Sequence, residues 1–167
     1  MRSVFVLVAA VAALAAVGCG RPSFPPSAES HLLGQPLPEM RARETLNGDG
    51  IDAGDFRDRV VVVKFFASYC EPCKRTLPAA ERVHEAEGDV MFLGVSLDES
   101  REDAVGVVKS YGLTFPVVYD AAHIFQGKFH VSELPRTFVA DRRGVVRWVG
   151  AGGQTDDDLD RAIQAAR

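Results

Sequence analysis

Three kinds of apolar patterning divide this chain, and each predicts a different structure. Val4 to Val17 is an unbroken apolar run, preceded by Arg2 and followed by Gly18 and Cys19. It is too short to span a bilayer comfortably and fits the central region of a secretory signal. Gly20 to His31 shows no apolar period and is rich in proline and serine, which marks a tether. From Gly34 to Arg167 strand-like runs alternate with helix-like periods, over a length that suits one domain and is too short for two.

Within that last segment the turn chemistry of Asn47-Gly48-Asp49-Gly50 predicts a hairpin between Arg43 to Leu46 and Gly50 to Ala53. Val60 to Phe66 is a continuous β-branched and aromatic run, as expected of a central strand covered on both faces. A helix is predicted from Cys70 to about Ala86 with Pro78 inside it, followed by a strand from Val90 to Ser96. Ser100 with Asp103 opens a helix that runs to Tyr111, and Phe115 to Tyr119 reads as a short strand. Ala121 to Phe129 predicts another helix. Thr137 to Ala140 and Val145 to Val149 predict a hairpin about Asp141 to Gly144, and Thr155 with Asp158 caps a final helix. Strands alternating with helices, then a hairpin and a last helix, predict an α/β sandwich around a central mixed sheet.

Composition narrows the function classes only slightly. The chain of 167 residues carries 19 Lys and Arg against 23 Asp and Glu, a net charge of -4, and removal of the leader with its single arginine makes it more negative. No basic face for nucleic acid is indicated. The three cysteines say more. Cys70-Glu71-Pro72-Cys73 lies where the buried strand is predicted to become a helix, so two thiols three positions apart can close a small disulfide ring. The first of them sits where helix N-terminal amides and the helix dipole stabilise a thiolate. That arrangement suits thiol–disulfide exchange.

Ala16-Val17-Gly18-Cys19 resembles the lipobox of bacterial lipoproteins, although Ala16 stands where leucine is usual. The resemblance implies lipid on Cys19, which leaves Cys70 and Cys73 as the only thiols of the mature chain. The expected organisation is a signal peptide over 1–18, a lipidated N-terminus and flexible tether over 19–33, and a domain over 34–167.

Phe65-Phe66-Ala67-Ser68-Tyr69-Cys70-Glu71-Pro72-Cys73 with Pro78 five residues on, and Val131-Ser132-Glu133-Leu134-Pro135-Arg136-Thr137-Phe138 further downstream, resemble the thioredoxin superfamily. With the insertion expected between Ser100 and Tyr119, the likeness is to TlpA/ResA-type membrane-tethered thiol–disulfide oxidoreductases, with a domain of the AhpC/TSA-redoxin kind. The resemblance implies a thioredoxin-like three-layer sandwich with an N-terminal β-hairpin and a central helix-strand insertion. It also implies roles: Cys70 attacks, Cys73 resolves, and Pro135 is a cis-proline facing the disulfide that orients the Leu134 backbone toward substrate. Protein dithiols or disulfides are the implied substrates, a membrane thiol carrier the electron donor, and the lipid anchor the tie to a bacterial membrane facing the periplasm. No cofactor beyond the Cys70-Cys73 disulfide is expected. Cytochrome c maturation and copper-site assembly are settings in which such enzymes act.

Departures from the pattern bear on mechanism. Tyr69 replaces the usual tryptophan. Thr76 stands where ResA-like reductases carry a glutamate, and Lys64 where thioredoxins bury an aspartate. The Lys64 ammonium can lie near the cysteines and favour a thiolate, or reach solvent along the sheet. The second is expected, since charged lysine ends are seldom buried unpaired. Glu71 is expected as a solvated side chain, opposing the thiolate that the helix start, Lys64 and Arg136 favour, which predicts a reducing couple. A copper-delivery protein of related fold is the alternative, yet such proteins space their cysteines four apart with a distant histidine. His31, His84, His123 and His130 are poorly spaced for a metal, and none is expected. A peroxiredoxin-like peroxidase needs a Pro-x-x-x-Thr-x-x-Cys pattern that is missing before Cys70, and a structural CxxC ring would constrain little of the unfolded chain.

Overall fold

β-branched and aromatic residues fill the strand β3 (Val61–Phe66), whose every residue is buried. In a computed structural model that describes residues 23–167, apart from the side chains of Arg43 and Asp49, this strand is the centre of a five-stranded sheet. It pairs parallel with β4 (Met91–Ser96) on one side and antiparallel with β6 (Arg136–Ala140) on the other. Outside them lie β5 (Val117–Tyr119), parallel to β4, and β7 (Val146–Gly150), antiparallel to β6. A separate two-stranded hairpin precedes the sheet, formed by β1 (Ala42–Glu44) and β2 (Asp49–Ile51). The expected mixed sheet, N-terminal hairpin and inserted helix-strand pair are all present.

Helices cover both faces, so β3 has no solvated side. One buried cluster joins Val60, Val62 and Phe66 of the central segment to the helices α1 (Cys73–Ala86), α2 (Arg101–Tyr111) and α4 (Asp156–Ala166). The opposite cluster joins Val61, Val63 and Phe65 to α3 (Ile124–Phe129), the hairpin and the segment around Leu32 and Met40. Gly94 lies beside Lys64 in the β3–β4 register, and a Cβ there would stand 3.0 Å from Phe115 and 3.1 Å from Phe66. The absent side chain makes room for both rings.

Local chemistry explains the element ends. Thr155 and Asp158 form a reciprocal capping box on α4, and the Ser100 hydroxyl accepts from Asp103 N on α2, as the sequence predicts. Two helices start later than expected. α1 opens at Cys73 and not at Cys70, because residues 70 to 75 form i to i+3 turns, Cys73 N to Cys70 O and Lys74 N to Glu71 O, before the ladder begins. α3 opens at Ile124 and not at Ala121. His123 is left-handed at φ 55°, and the Asp120 carboxylate takes the N–H groups of Ile124 and Gln126. β5 begins at Val117 because Pro116 has no N–H to offer the ladder.

Both outer edges of the sheet are covered. At β5 the hairpin loop delivers Asn47, whose amide donates to Leu113 O and Phe115 O while its oxygen accepts from Val117 N. At β7 the covering chain runs from the end of the segment expected to be a flexible tether into the start of the expected domain at Gly34. Ala28 N donates to Val149 O, Gly34 N to Val146 O and Leu37 N to Gly144 O, while the buried Trp148 indole donates to Pro26 O. Residues 26–28 of the expected tether thus lie hydrogen-bonded against this edge, whose open N–H and C=O groups need partners. The signal peptide and Cys19 lie outside the described residues. Among the described residues no helix is long and apolar enough to cross a membrane.

Candidate active site

The antiparallel register of β3 and β6 sets Phe65 opposite Arg136, so the chain leaving β3 and the chain entering β6 meet at one end of the sheet. Cys70 and Cys73 lie on the first and Pro135 on the second. The two sulfurs are joined as a disulfide, with 5.3 Å between the Cα atoms, and the Leu134-Pro135 peptide bond is cis. Gly152, in the loop before α4, bridges the parts, its missing Cβ standing 3.6 Å from both Pro72 and Pro135.

The two cysteines differ in access and in electrostatics. Cys70 is 6% exposed and Cys73 1%. Cys73 N–H donates to the Cys70 Sγ at 3.2 Å, and Pro72, the helix cap, supplies no side-chain bond of its own. The Cys70 sulfur therefore faces the opening turn of α1, whose amides and dipole favour negative charge there. Beside the sulfurs runs an open groove of about 340 Å³, bordered by Tyr69, Glu71, Leu97, Gln126, Glu133 and Leu134. A larger hollow, about 500 Å³, sits by Val61 and the β6–β7 turn at the opposite end of the sheet, away from the cysteines.

Charges around the groove are internally matched. Glu71 is exposed as expected and pairs with Lys74 at 2.6 Å, and that hydrogen bond holds the lysine pKa above its ordinary value. Arg136 is largely buried and pairs with Glu133 at 3.2 Å, so its charge is not free to act on Cys70. Tyr69 is two-thirds exposed at the rim and its hydroxyl donates to Leu97 O. Asp98, which sequence reasoning missed, braces the approach to the cysteines: it accepts from Ser68 N at 2.7 Å and from the Ser96 hydroxyl. Its only sequence signal is a polar Ser-x-Asp closing a strand at the carboxyl edge of a parallel pair, where sites gather.

Lys64 corrects the sequence reading. It does not reach solvent but is 1% exposed, with its Nζ donating to Thr137 Oγ1 at 3.4 Å. Strands flank it on both sides and the cluster of α1 and α4 covers it, so no path along the sheet leads to water. Burial lowers its pKa from 10.5 to about 7, against a smaller upward pull from Asp156. Thr76, at the position of the family glutamate, is buried and its hydroxyl donates to Cys73 O. Among the histidines, the chain fold brings His31 and His130 together, with ring centroids 4.2 Å apart, although they are distant in sequence. Among the described residues no three His, Cys, Asp or Glu side chains are grouped to hold a metal.

This disulfide at a strand-to-helix junction, facing a cis-proline on a mixed sheet, defines a thioredoxin-fold oxidoreductase. A family model of the AhpC/TSA family matches residues 33–149. The thiol-disulfide oxidoreductase ResA of Bacillus subtilis is 33% identical over 130 residues, covering 77% of this chain and 72% of its own. The ResA of Geobacillus kaustophilus is 28% identical over 125 residues, covering 73% and 71%. In structure, a thioredoxin-family thiol:disulfide interchange protein from Chlorobium tepidum superposes with a TM-score of 0.71 at 23% identity, covering 84% of this chain and 99% of its own. The chain belongs to the AhpC/TSA family, as a ResA-like thiol–disulfide oxidoreductase of the thioredoxin superfamily.

The buried lysine makes stability depend on pH. Because its folded pKa is lowered, the folded chain binds fewer protons here than the unfolded chain between pH 7 and 10.5, so stability rises with pH across that window. Lys64→Met, which keeps the volume and removes the charge, is expected to stabilise the oxidised protein at pH 7 by about 1 to 4 kcal/mol. The wild type should recover about 2 kcal/mol of that difference between pH 7 and 9. Urea denaturation of both proteins at the two pH values measures it.

Proposed function

We propose that the protein is a disulfide reductase for extracytoplasmic protein disulfides, with Cys70 as the attacking thiolate and Cys73 as the resolving thiol. The observation that carries the assignment is the asymmetry of the pair: the Cys70 sulfur is the more accessible and accepts the Cys73 N–H at the start of α1. In the reduced enzyme the Cys70 thiolate attacks one sulfur of a substrate disulfide, and the other leaves as a thiolate. The Cys73 thiolate then attacks Cys70 in the mixed disulfide, which releases the second substrate thiol and closes the ring. Substrate gains two electrons, and the enzyme is oxidised. Reduction for the next cycle comes from a dithiol donor, here a membrane thiol carrier. The Leu134 backbone beside Pro135, at the groove, is where an extended substrate strand pairs.

Direction follows from charge. With Glu71 in the dipeptide, Arg136 engaged by Glu133 and no histidine between the cysteines, little pulls the Cys70 thiolate toward extreme acidity. A reducing couple nearer about -270 mV than the -120 mV of strong oxidants is the consequence. The leader and Ala16-Val17-Gly18-Cys19 support attachment to a bacterial membrane through lipid on Cys19, on the periplasmic side. Substrates of the cytochrome c maturation or copper-site assembly kind are those the family resemblance implies.

Cys73→Ser is expected to accumulate a mixed disulfide through Cys70 on a model disulfide substrate, and Cys70→Ser to lose exchange altogether. Alkylation and mass analysis score both, and equilibration of the wild type with a glutathione buffer reads the couple. An active Cys70→Ser protein would remove the assignment of roles, and a couple at the oxidising end would recast the enzyme as a disulfide donor.

Processed protein is expected to carry lipid on Cys19 and to fractionate with membranes, since two or more acyl chains give stable attachment. Mass spectrometry of the mature N-terminus decides the point. An unmodified N-terminus at another residue would exclude the anchor.

A further inference from the structure

We infer that Lys64 is the group that exchanges a proton with the buried Cys73 sulfur, an inference that rests on the resolving role proposed for Cys73. Side chains on a strand alternate between faces, so Lys64 shares the face of Val62 and Phe66. Both belong to the buried cluster that contains Cys70 and Cys73. A thiol 1% exposed in that cluster has no ready access to water, yet every turn of the cycle makes or consumes a Cys73 thiolate there. The proton needs a protein partner.

Other buried titratable side chains among the described residues are engaged or remote. Glu81 is held by the N–H and hydroxyl of Thr114, Asp98 by Ser68 and Ser96, and Asp120 by Ile124 and Gln126. Asp141 binds Arg143 and Arg147 at the far end of the sheet. His84 lies on α1 three turns beyond Cys73, about 16 Å by helical rise, between Phe92 and Phe115. Lys64 has three donors and a single 3.4 Å bond to Thr137.

The surroundings set its proton affinity. β4 presents Gly94 and no side chain, and β6 presents the Thr137 hydroxyl, while α1 covers this face of the sheet with Cys73 in the same buried cluster as Val62 and Phe66 and with the Thr76 hydroxyl turned back to Cys73 O. From α4 comes the carboxylate of Asp156, itself paired with Arg82 of α1. Burial, opposed only by a smaller pull from that half-exposed, ion-paired carboxylate, brings the amine to about 7, so both its forms are populated at neutral pH. In resolution the neutral amine takes the proton of the Cys73 thiol, the thiolate attacks Cys70 Sγ, and the Cys70–substrate bond breaks with its electron pair leaving on the substrate sulfur. When a donor dithiol reopens the ring, Cys73 leaves as a thiolate and the Lys64 ammonium returns the proton.

The test uses the full chain carrying Cys19→Ser, reduced, with dithiobis-nitrobenzoate as the disulfide. Attack by Cys70 releases the first coloured thiolate, and resolution by Cys73 releases the second. In stopped flow the second phase of the parent protein should rise through an inflection near pH 7. Lys64→Met should slow that phase about 100-fold at pH 7 and abolish the inflection, with little change in the first phase. Asp156→Asn removes the charge that raises the amine pKa and should move the inflection to lower pH. If Lys64→Met lacks a native near-ultraviolet spectrum, the Asp156→Asn shift decides alone. A second phase in Lys64→Met with the parent rate and inflection, or an unmoved inflection in Asp156→Asn, would overturn the inference while leaving the cysteine roles intact. Absence of both phases in the parent would instead overturn the exchange reading on which it rests.

Discussion

The whole arrangement depends on β3 being buried on both faces and paired on both edges. A parallel partner on one side obliges the chain to cross over through α1, which puts the cysteines at the carboxyl end of β3. An antiparallel partner on the other side brings the start of β6, and with it Pro135, to the same end. Neither segment could meet the other if β6 ran parallel. The groove beside the disulfide is therefore a product of strand direction, and the side chains that border it only tune a meeting point the topology has made.

The same burial that builds the site also determines its electrostatics. In water a lysine and a threonine would have little influence on a thiol. Beneath α1 and α4, with β4 contributing only Gly94, they become the few polar groups in an apolar layer. A charge there costs several kcal/mol unless it is neutralised, and this is why the amine is poised near neutrality. Outside that layer the opposite holds: Glu71 with Lys74 and Arg136 with Glu133 are partly or fully solvated pairs, and their fields are short-ranged.

Edge protection completes the fold and ties it to the N-terminus. Asn47 closes the β5 edge with three hydrogen bonds to backbone, and residues 26–37 close the β7 edge. The chain thus emerges from the β7 side already fixed to the sheet, so any attachment further toward the N-terminus connects to a rigid point.

Much was legible in the residues themselves, because period, capping and turn chemistry are local. The uninterrupted run of β3, the Thr155 and Ser100 caps, the hairpin about Asp141 to Gly144 and the CxxC at a strand end all follow from neighbours a few positions apart. What the sequence could not decide depends on partners far along the chain. Lys64 read as a lysine with a route to solvent, and only the layer formed by α1 and α4 closes that route. The start of α3 moved because Asp120 captured its amides, and residues 26–28 of the supposed tether dock on the β7 edge, where Val149 O and the Trp148 indole find backbone partners. His31 met His130 through the same docking. Local sequence determines which elements form and where chemistry can sit; burial, and the pKa values it sets, exists only once separate elements have closed over one another.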